Sequence, residues 1–232
     1  MKNNQYPYFL SPQDVSFPPV NLALKEPDGL LAIGGDLSSE RIVSAYHQGI
    51  FPWYSADEPI MWWSPDPRSV IFTADYSPSK SLKKLLKKNT FSFSFDRSFE
   101  QVIRKCAQVP RRYQDGTWIT EEMLAAYFLL HQQGIAHSCE CWLGDELVGG
   151  LYGLSFGQVF FGESMFSTQS NASKLAFSYL VKNLKQWGFK LIDCQVESEH
   201  MNSLGAINVE RQEFIALLDK YLLADSQAAW SS

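Results

Sequence analysis

Hydrophobic and polar positions fall into two textures that change near residue 70. The first stretch is broken by Pro, Gly and Trp, and a single helix stands out in it. Asp36-Leu37-Ser38-Ser39-Glu40 opens that helix with Ser38 or Ser39 as cap, Ile42, Val43 and Tyr46 form its apolar stripe, and Gly49 closes it. Later segments show regular periods. Residues 146–152 and 158–161 read as two strands joined through Ser155-Phe156-Gly157, a hairpin. Asn171 is expected to cap a helix carrying Leu175, Leu180, Val181 and Leu184 and ending at Gly188. Residues 189–196 then predict a strand and 210–223 a final helix, while 224–232 read as poorly ordered. The pattern predicts an α/β (α+β) protein with a small N-terminal domain, 1–70, and a larger domain, 71–232, built on a mixed, largely antiparallel sheet.

One further helix has a distinctive charge pattern. Ser77-Pro78 reads as a cap and first turn, and Lys80, Lys83, Lys84, Lys87 and Lys88 follow at i, i+3, i+4, i+7 and i+8. They share one face, with Leu82, Leu85 and Leu86 opposite, so the helix can dock by its leucines and turn a positive stripe outward. The stripe matters because the chain as a whole is acidic, with a formal net charge of −5. That balance argues against indiscriminate nucleic-acid binding, and a local stripe is what a phosphate backbone would need.

Composition narrows the class further. With 45% hydrophobic and 19% charged residues the chain has the balance of a globular protein. No apolar run is long enough to span a membrane, and the first residues lack the apolar core of a secretory signal, so a cytoplasmic protein without a membrane partner is expected. Cys106, Cys139, Cys141 and Cys194 have no paired spacing and the four histidines are scattered, which indicates neither a zinc site nor a disulfide framework.

A series of segments then points to one family. In order they are Glu26-Pro27-Asp28-Gly29-Leu30-Leu31-Ala32-Ile33-Gly34-Gly35-Asp36-Leu37, Gly49-Ile50-Phe51-Pro52-Trp53-Tyr54, Trp62-Trp63-Ser64-Pro65-Asp66-Pro67-Arg68, and Gly116-Thr117-Trp118-Ile119-Thr120. After these come Ala136-His137-Ser138, Leu147-Val148-Gly149-Gly150-Leu151-Tyr152-Gly153, Gly162-Glu163-Ser164-Met165-Phe166-Ser167, Ala172-Ser173-Lys174, Leu191-Ile192-Asp193-Cys194-Gln195 and Ser203-Leu204-Gly205-Ala206. Taken together, from about residue 22 to residue 215, the chain resembles the leucyl/phenylalanyl-tRNA–protein transferases. Residues 207–212, Ile-Asn-Val-Glu-Arg-Gln, depart from the Ile-Pro-Arg-Arg-like pattern expected there. The resemblance implies a GNAT-like acyltransferase domain, no cofactor, and an aminoacyl-tRNA donor carrying Leu, Phe or, less well, Met. It further implies acceptor proteins or peptides starting with Arg or Lys, whose product is marked for N-degron proteolysis; a monomer is expected.

An aminoacyl ester is already activated, so the chemistry needs a neutral amine, correct placement and help for the departing ribose hydroxyl. Asp193 and Gln195 lie two apart on an expected strand, which would put both side chains on one face with Cys194 pointing away. A carboxylate orienting a carboxamide whose oxygen accepts from the amine is a possible relay, and the resemblance assigns the pair a catalytic role. Glu163, expected at the end of the hairpin's second strand, matches a family active-site position and could pair with the acceptor's ammonium. Trp53 and Trp118 match positions that stack on the tRNA's terminal adenosine, an interaction worth about 1–3 kcal/mol. Trp62, Trp63, Trp142 and Trp187 read as core. Leu151, Phe160, Met165 and Phe166 could line an apolar pocket for the transferred side chain. Three alternatives stay open: an aminoacyl-tRNA-dependent enzyme building peptidoglycan bridges, a thiol hydrolase using Cys194 with His137 or His200, and a tRNA-binding module without chemistry.

Overall fold

Short extended runs in the Pro- and Trp-rich first stretch pair into a sheet that periodicity alone did not reveal. The computed structural model describes residues 6–109 and 119–230. Strands β1 (Tyr8–Leu10), β2 (Leu30–Gly34), β3 (Phe51–Pro52) and β4 (Met61–Trp63) form a four-stranded sheet in the order β1-β2-β4-β3. Runs of two to five residues contain too few alternations to register as a period. The expected helix is α1 (Ser39–His47), and Ser38 caps it by accepting from the Arg41 N–H. Gly49, at φ +71°, ends it where a Cβ would collide with Phe214 and Ile215.

The larger sheet is seven-stranded. Strands β5 (Arg68–Phe72), β6 (Ser92–Phe95), β7 (Ala136–Leu143), β8 (Glu146–Phe156), β9 (Val159–Ser167), β10 (Leu191–Gln195) and β11 (Ile207–Val209) lie in the order β11-β5-β10-β9-β8-β7-β6. Among the described residues, β9 and β10 are the one parallel pair in this sheet. The expected hairpin is β8–β9, but β9 continues to Ser167, so Glu163 sits within the strand rather than at its end. Among the described residues the helices that follow α1 are α2 (Lys80–Lys87), α3 (Phe99–Ala107), α4 (Glu121–Gln132), α5 (Ala172–Gln186), α6 (Glu199–Ser203) and α7 (Arg211–Tyr221). Two caps differ from expectation. Ser79, not Ser77, caps α2, since its Oγ is the one that reaches the Leu82 N–H. Asn171 occupies the cap of α5 in a left-handed conformation that turns its amide to Ser170 Oγ instead of to the helix.

Each face of this sheet has its own core. Tyr46 of α1, Phe99 and Val102 of α3, Tyr127 of α4 and Phe214 of α7 cover one face, and that core runs on into Leu31 and Trp62 of the first sheet. On the other face α5 buries Leu175, Leu180 and Leu184 against Leu151, Phe160 and Ile192, with α2 added through Leu82. A fully buried Leu or Phe is worth about 1.5–3 kcal/mol relative to an exposed one, so both layers contribute substantially. A parallel pair crossed by one helix within an otherwise antiparallel sheet is the arrangement expected of a GNAT-like domain. The stretch after α7, expected to be poorly ordered, instead packs on the sheet as far as Trp230, whose indole meets Phe95, His137 and Trp187.

Candidate active site

The site grows out of a local break in β10. Leu191 and Ile192 are buried and pair regularly with β5, but the register slips between Asp193 and Gln195, and Gln195 takes a positive φ of 56°. A bulge of this kind re-aims side chains at a strand end. It also breaks the two-residue alternation from which Asp193 and Gln195 were expected to share a face with Cys194 turned away. Cys194 lines the same cleft as Gln195.

Asp193 is fully buried and held by Arg68, whose Nε and Nη2 donate to its two carboxylate oxygens at 2.8 and 2.7 Å. Arg68 also donates from Nη1 to the Gly49 carbonyl at 3.1 Å, with its guanidinium over the rings of Phe51 and Phe214. A bidentate pair of this geometry is fixed in place. The carboxylate does not touch the Gln195 carboxamide; it accepts from the Gln195 backbone N–H at 2.9 Å. The expected side-chain relay is therefore replaced by a backbone tether that holds the bulge. Arg68 was not singled out from the sequence, although a lone cation leading into the apolar run Val70-Ile71 was the available signal, because a buried charge needs a partner.

The Gln195 carboxamide turns to Glu163 and donates from Nε2 to Oε1 at 3.3 Å. Tyr46 donates to the same oxygen at 2.7 Å and Tyr127 to Oε2 at 3.0 Å, and the two phenolic oxygens lie 2.7 Å apart. Burial raises the Glu163 carboxyl to about 7; the nearby charge of Asp193 adds to this, while the two tyrosine donors and Arg68 oppose it. Both phenols are pushed well above 10, by burial first and then by the Glu163 charge, so they remain donors. Tyr46 was expected only as part of an apolar stripe, and Tyr127 was not singled out. A buried phenol needs a polar partner, and that requirement is the signal both carried.

Glu163, Asp193 and Gln195 line a cleft of about 590 Å³ whose apolar wall includes Leu151, Phe160, Met165, Phe166, Phe177 and Ile192. All four residues expected in an apolar pocket are thus beside Glu163, Asp193 and Gln195. A second recess of about 160 Å³ carries Phe51, Pro52 and Trp53 and shares Glu163, Cys194, Gln195 and Val196 with the first. Trp118 lies outside the described residues. Of the tryptophans read as core, Trp62 and Trp142 are buried and Trp63 and Trp187 half-buried. The lysines at 80, 83, 84, 87 and 88 are all exposed on α2, away from the residues of the cleft.

The surroundings of Cys194 disfavour a thiolate on balance, with Arg68 alone acting the other way among the charges that shift it. Burial and then the Asp193 charge push its thiol well above the usual range. His137 is taken up by Asp96 and the Gly134 carbonyl, and His200 by the Met165 sulfur. Among the described residues no group of three or more His, Cys, Asp or Glu could hold a metal ion, and no helix is long and apolar enough to cross a membrane.

The family model described as leucyl/phenylalanyl-tRNA protein transferase matches residues 70–219, and that of the same family's N-terminal domain matches 35–66. The chain belongs to this transferase family. Proteins named leucyl/phenylalanyl-tRNA–protein transferase from Cellvibrio japonicus and Azotobacter vinelandii are 57% and 55% identical to it. The alignments cover 90% and 95% of this chain and 89% and 97% of those relatives. A third relative of that name, from Pseudomonas fluorescens, is 54% identical over 97% of this chain and 99% of its own. Among solved structures, L-PGS from Bacillus licheniformis has 12% identity and a TM-score of 0.40, covering 73% of this chain and 54% of that one. Membership makes the protein an aminoacyl-tRNA transferase, which sets aside the thiol-hydrolase and binding-module alternatives. In this transferase the two matched regions meet at the site: α1 and β3 supply Tyr46 and the approach to Trp53, β9 and β10 supply Glu163 and Gln195, and Arg68 lies in the short stretch between the two regions.

Proposed function

We propose that this transferase moves Leu or Phe, and less well Met, from aminoacyl-tRNA onto an N-terminal Arg or Lys of acceptor proteins in the cytoplasm, marking them for N-degron proteolysis. The observation that carries the reading is the place of Glu163, a carboxyl titrating at about 7 where an apolar cleft and an aromatic recess join. The donor's side chain would lie against Leu151, Phe160, Met165 and Phe166. Its terminal adenosine would stack on Trp53, with Trp118 as the second aromatic platform. The lysines of α2 would take the tRNA backbone, since phosphate contacts position a nucleic acid without reading its sequence. In this reading the segment 1–70 serves mainly adenosine binding and 71–232 acyl transfer, within one monomer.

The chemistry follows from the same groups. The acceptor's α-amine attacks the ester carbonyl carbon, a C–N bond forms, and the bond to the ribose oxygen breaks. Gln195 Oε1 accepts from the amine and aligns it, while ionised Glu163 takes the proton the nitrogen must lose. The departing ribose oxygen receives a proton in return, which protonated Glu163 can supply, so the enzyme ends as it began. A base titrating near the working pH serves both steps. Asp193 and Arg68 do not touch the reacting atoms in this scheme; they fix the bulge that aims Gln195.

Glu163→Gln and Gln195→Ala test the assignment. Both variants should bind aminoacyl-tRNA as the unaltered enzyme does and lose transfer by about 100-fold or more, the usual scale for a general acid–base group. Transfer at the unaltered rate in Glu163→Gln would overturn the role given to Glu163.

A further inference from the structure

Phe160 faces two ways. It lines the large cleft, is only 1% exposed, and packs behind that wall against Trp230, with ring centroids 5.8 Å apart. Trp230 is itself closely seated. It stacks on the His137 imidazole at 4.2 Å and 9°, and meets Phe95, Trp187 and Phe189 at 5.5, 5.0 and 6.2 Å. His137 is held in turn by the Asp96 carboxylate at 2.7 Å, so the surface under the indole is fixed.

The backbone that delivers Trp230 is tied to the strand that carries Phe160. The β8–β9 turn passes through Gly157 at φ +52°, where a Cβ would lie 2.4 Å from the Leu222 carbonyl oxygen, so only glycine lets the chain cross so closely. Next to it Gln158 donates from its backbone to the Tyr221 carbonyl and from Nε2 to the Asp225 carbonyl, at 2.9 and 3.1 Å. Gln227 then donates to the Trp187 carbonyl at 2.9 Å. Residues 222–230 thus strap around the end of the hairpin, from the face covered by α7 to the face covered by α5. Phe160 lies two residues beyond the strapped Gln158.

We propose that Trp230 is a positioning residue for donor choice: it fixes the Phe160 ring and so sets how far the apolar cleft extends. The inference rests on the reading that this cleft takes the transferred side chain. With Trp230 in place the Phe160 ring cannot retreat, because the Trp230 indole occupies the space behind it. Removing the indole lets the ring withdraw, and the enlarged cleft then accepts the bulkier donor more readily relative to the smaller.

The test compares leucyl-tRNA and phenylalanyl-tRNA as donors to one Arg-initiated peptide, with unaltered enzyme, Trp230→Ala, Phe160→Ala and the double variant. The Phe-to-Leu ratio of kcat/KM should rise at least about threefold in Trp230→Ala, chiefly through KM, and should return toward the original in Trp230→Phe. Adding Trp230→Ala to Phe160→Ala should shift the ratio no further, since the two act through one contact. A merely structural role would lower both donors in parallel; an unchanged ratio in Trp230→Ala therefore overturns the inference. If Trp230→Ala yields no folded protein, Trp230→Leu, which keeps apolar bulk without the ring, carries the same comparison. Failure of the unaltered enzyme to transfer either residue would contradict the functional reading itself, and the inference would fall with it.

Discussion

Glu163 combines two demands that oppose each other. Burial favours its neutral form, whereas the donors Tyr46, Tyr127 and Gln195 favour the anion, and the balance leaves the carboxyl near 7. Transfer should therefore rise as pH climbs through about 7. In Glu163→Gln that limb should vanish, leaving only the limb of the acceptor amine, whose ordinary pKa is about 8. Tyr46→Phe removes a donor to the anion, so its limb should move to higher pH; a limb that stays in place would contradict the part given to Tyr46. Stability carries the opposite sign. The folded-state value lies above the ordinary 4.5, so the folded protein binds this proton more tightly, and the stabilisation is present below about 4.5 and lost as pH rises through about 7. Urea midpoints should accordingly fall more between pH 5 and pH 8 for the unaltered protein than for Glu163→Gln. At this scale the sequence made Glu163, Asp193 and Gln195 legible through their motifs. Their partners were not, because Tyr46 and Arg68 owe their polar contacts to residues 117 and 125 positions away.

Strand β10 shows where periodicity stops being informative. Its two-residue alternation held for Leu191 and Ile192 and then failed at the bulge, which depends on the Asp193–Arg68 pair beneath it. Arg68→Met would leave the Asp193 carboxylate buried without its partner, a destabilisation of about 3–5 kcal/mol. Urea unfolding should report that change. Adding Asp193→Leu should recover much of it without restoring transfer, because the Gln195 N–H would have no acceptor. If the double variant transferred normally, the tether would have no part in aiming Gln195. Helix α2 presents the contrasting case, since its charge pattern was legible down to the single face: all five lysines are exposed and Leu82 is buried. Replacing Lys83, Lys84 and Lys87 by Ala should weaken aminoacyl-tRNA binding and reduce the salt slope by roughly one unit for each phosphate that is no longer neutralised. An unchanged slope would reduce the stripe to a solvated surface.

Across the whole molecule the candidate cleft forms where the small sheet meets the large one. Gly49 and Phe51, from the first stretch, seat the Arg68 guanidinium that holds Asp193, and Trp53 faces the recess beside Gln195. The change of texture near residue 70 was visible in the sequence, as were α2, the β8–β9 hairpin, α5, β10, α7 and the mixed sheet, whereas β5, β6, β7, β11, α3, α4 and α6 were not read from it. The strands of the first sheet were hidden by their shortness. The strap over residues 222–230 was hidden for a different reason: its polar and small residues read as a solvated tail, and what anchors it is the ring of Trp230 and backbone carbonyls paired with Gln158 and Gln227, contacts with partners distant in sequence. The proposed reaction has a defined acceptor. Its most direct test is transfer of labelled leucine from leucyl-tRNA to two peptides that differ only in an N-terminal Arg or Asp. Label on the Arg peptide alone is the predicted result; label on neither peptide, or equal label on both, would contradict it.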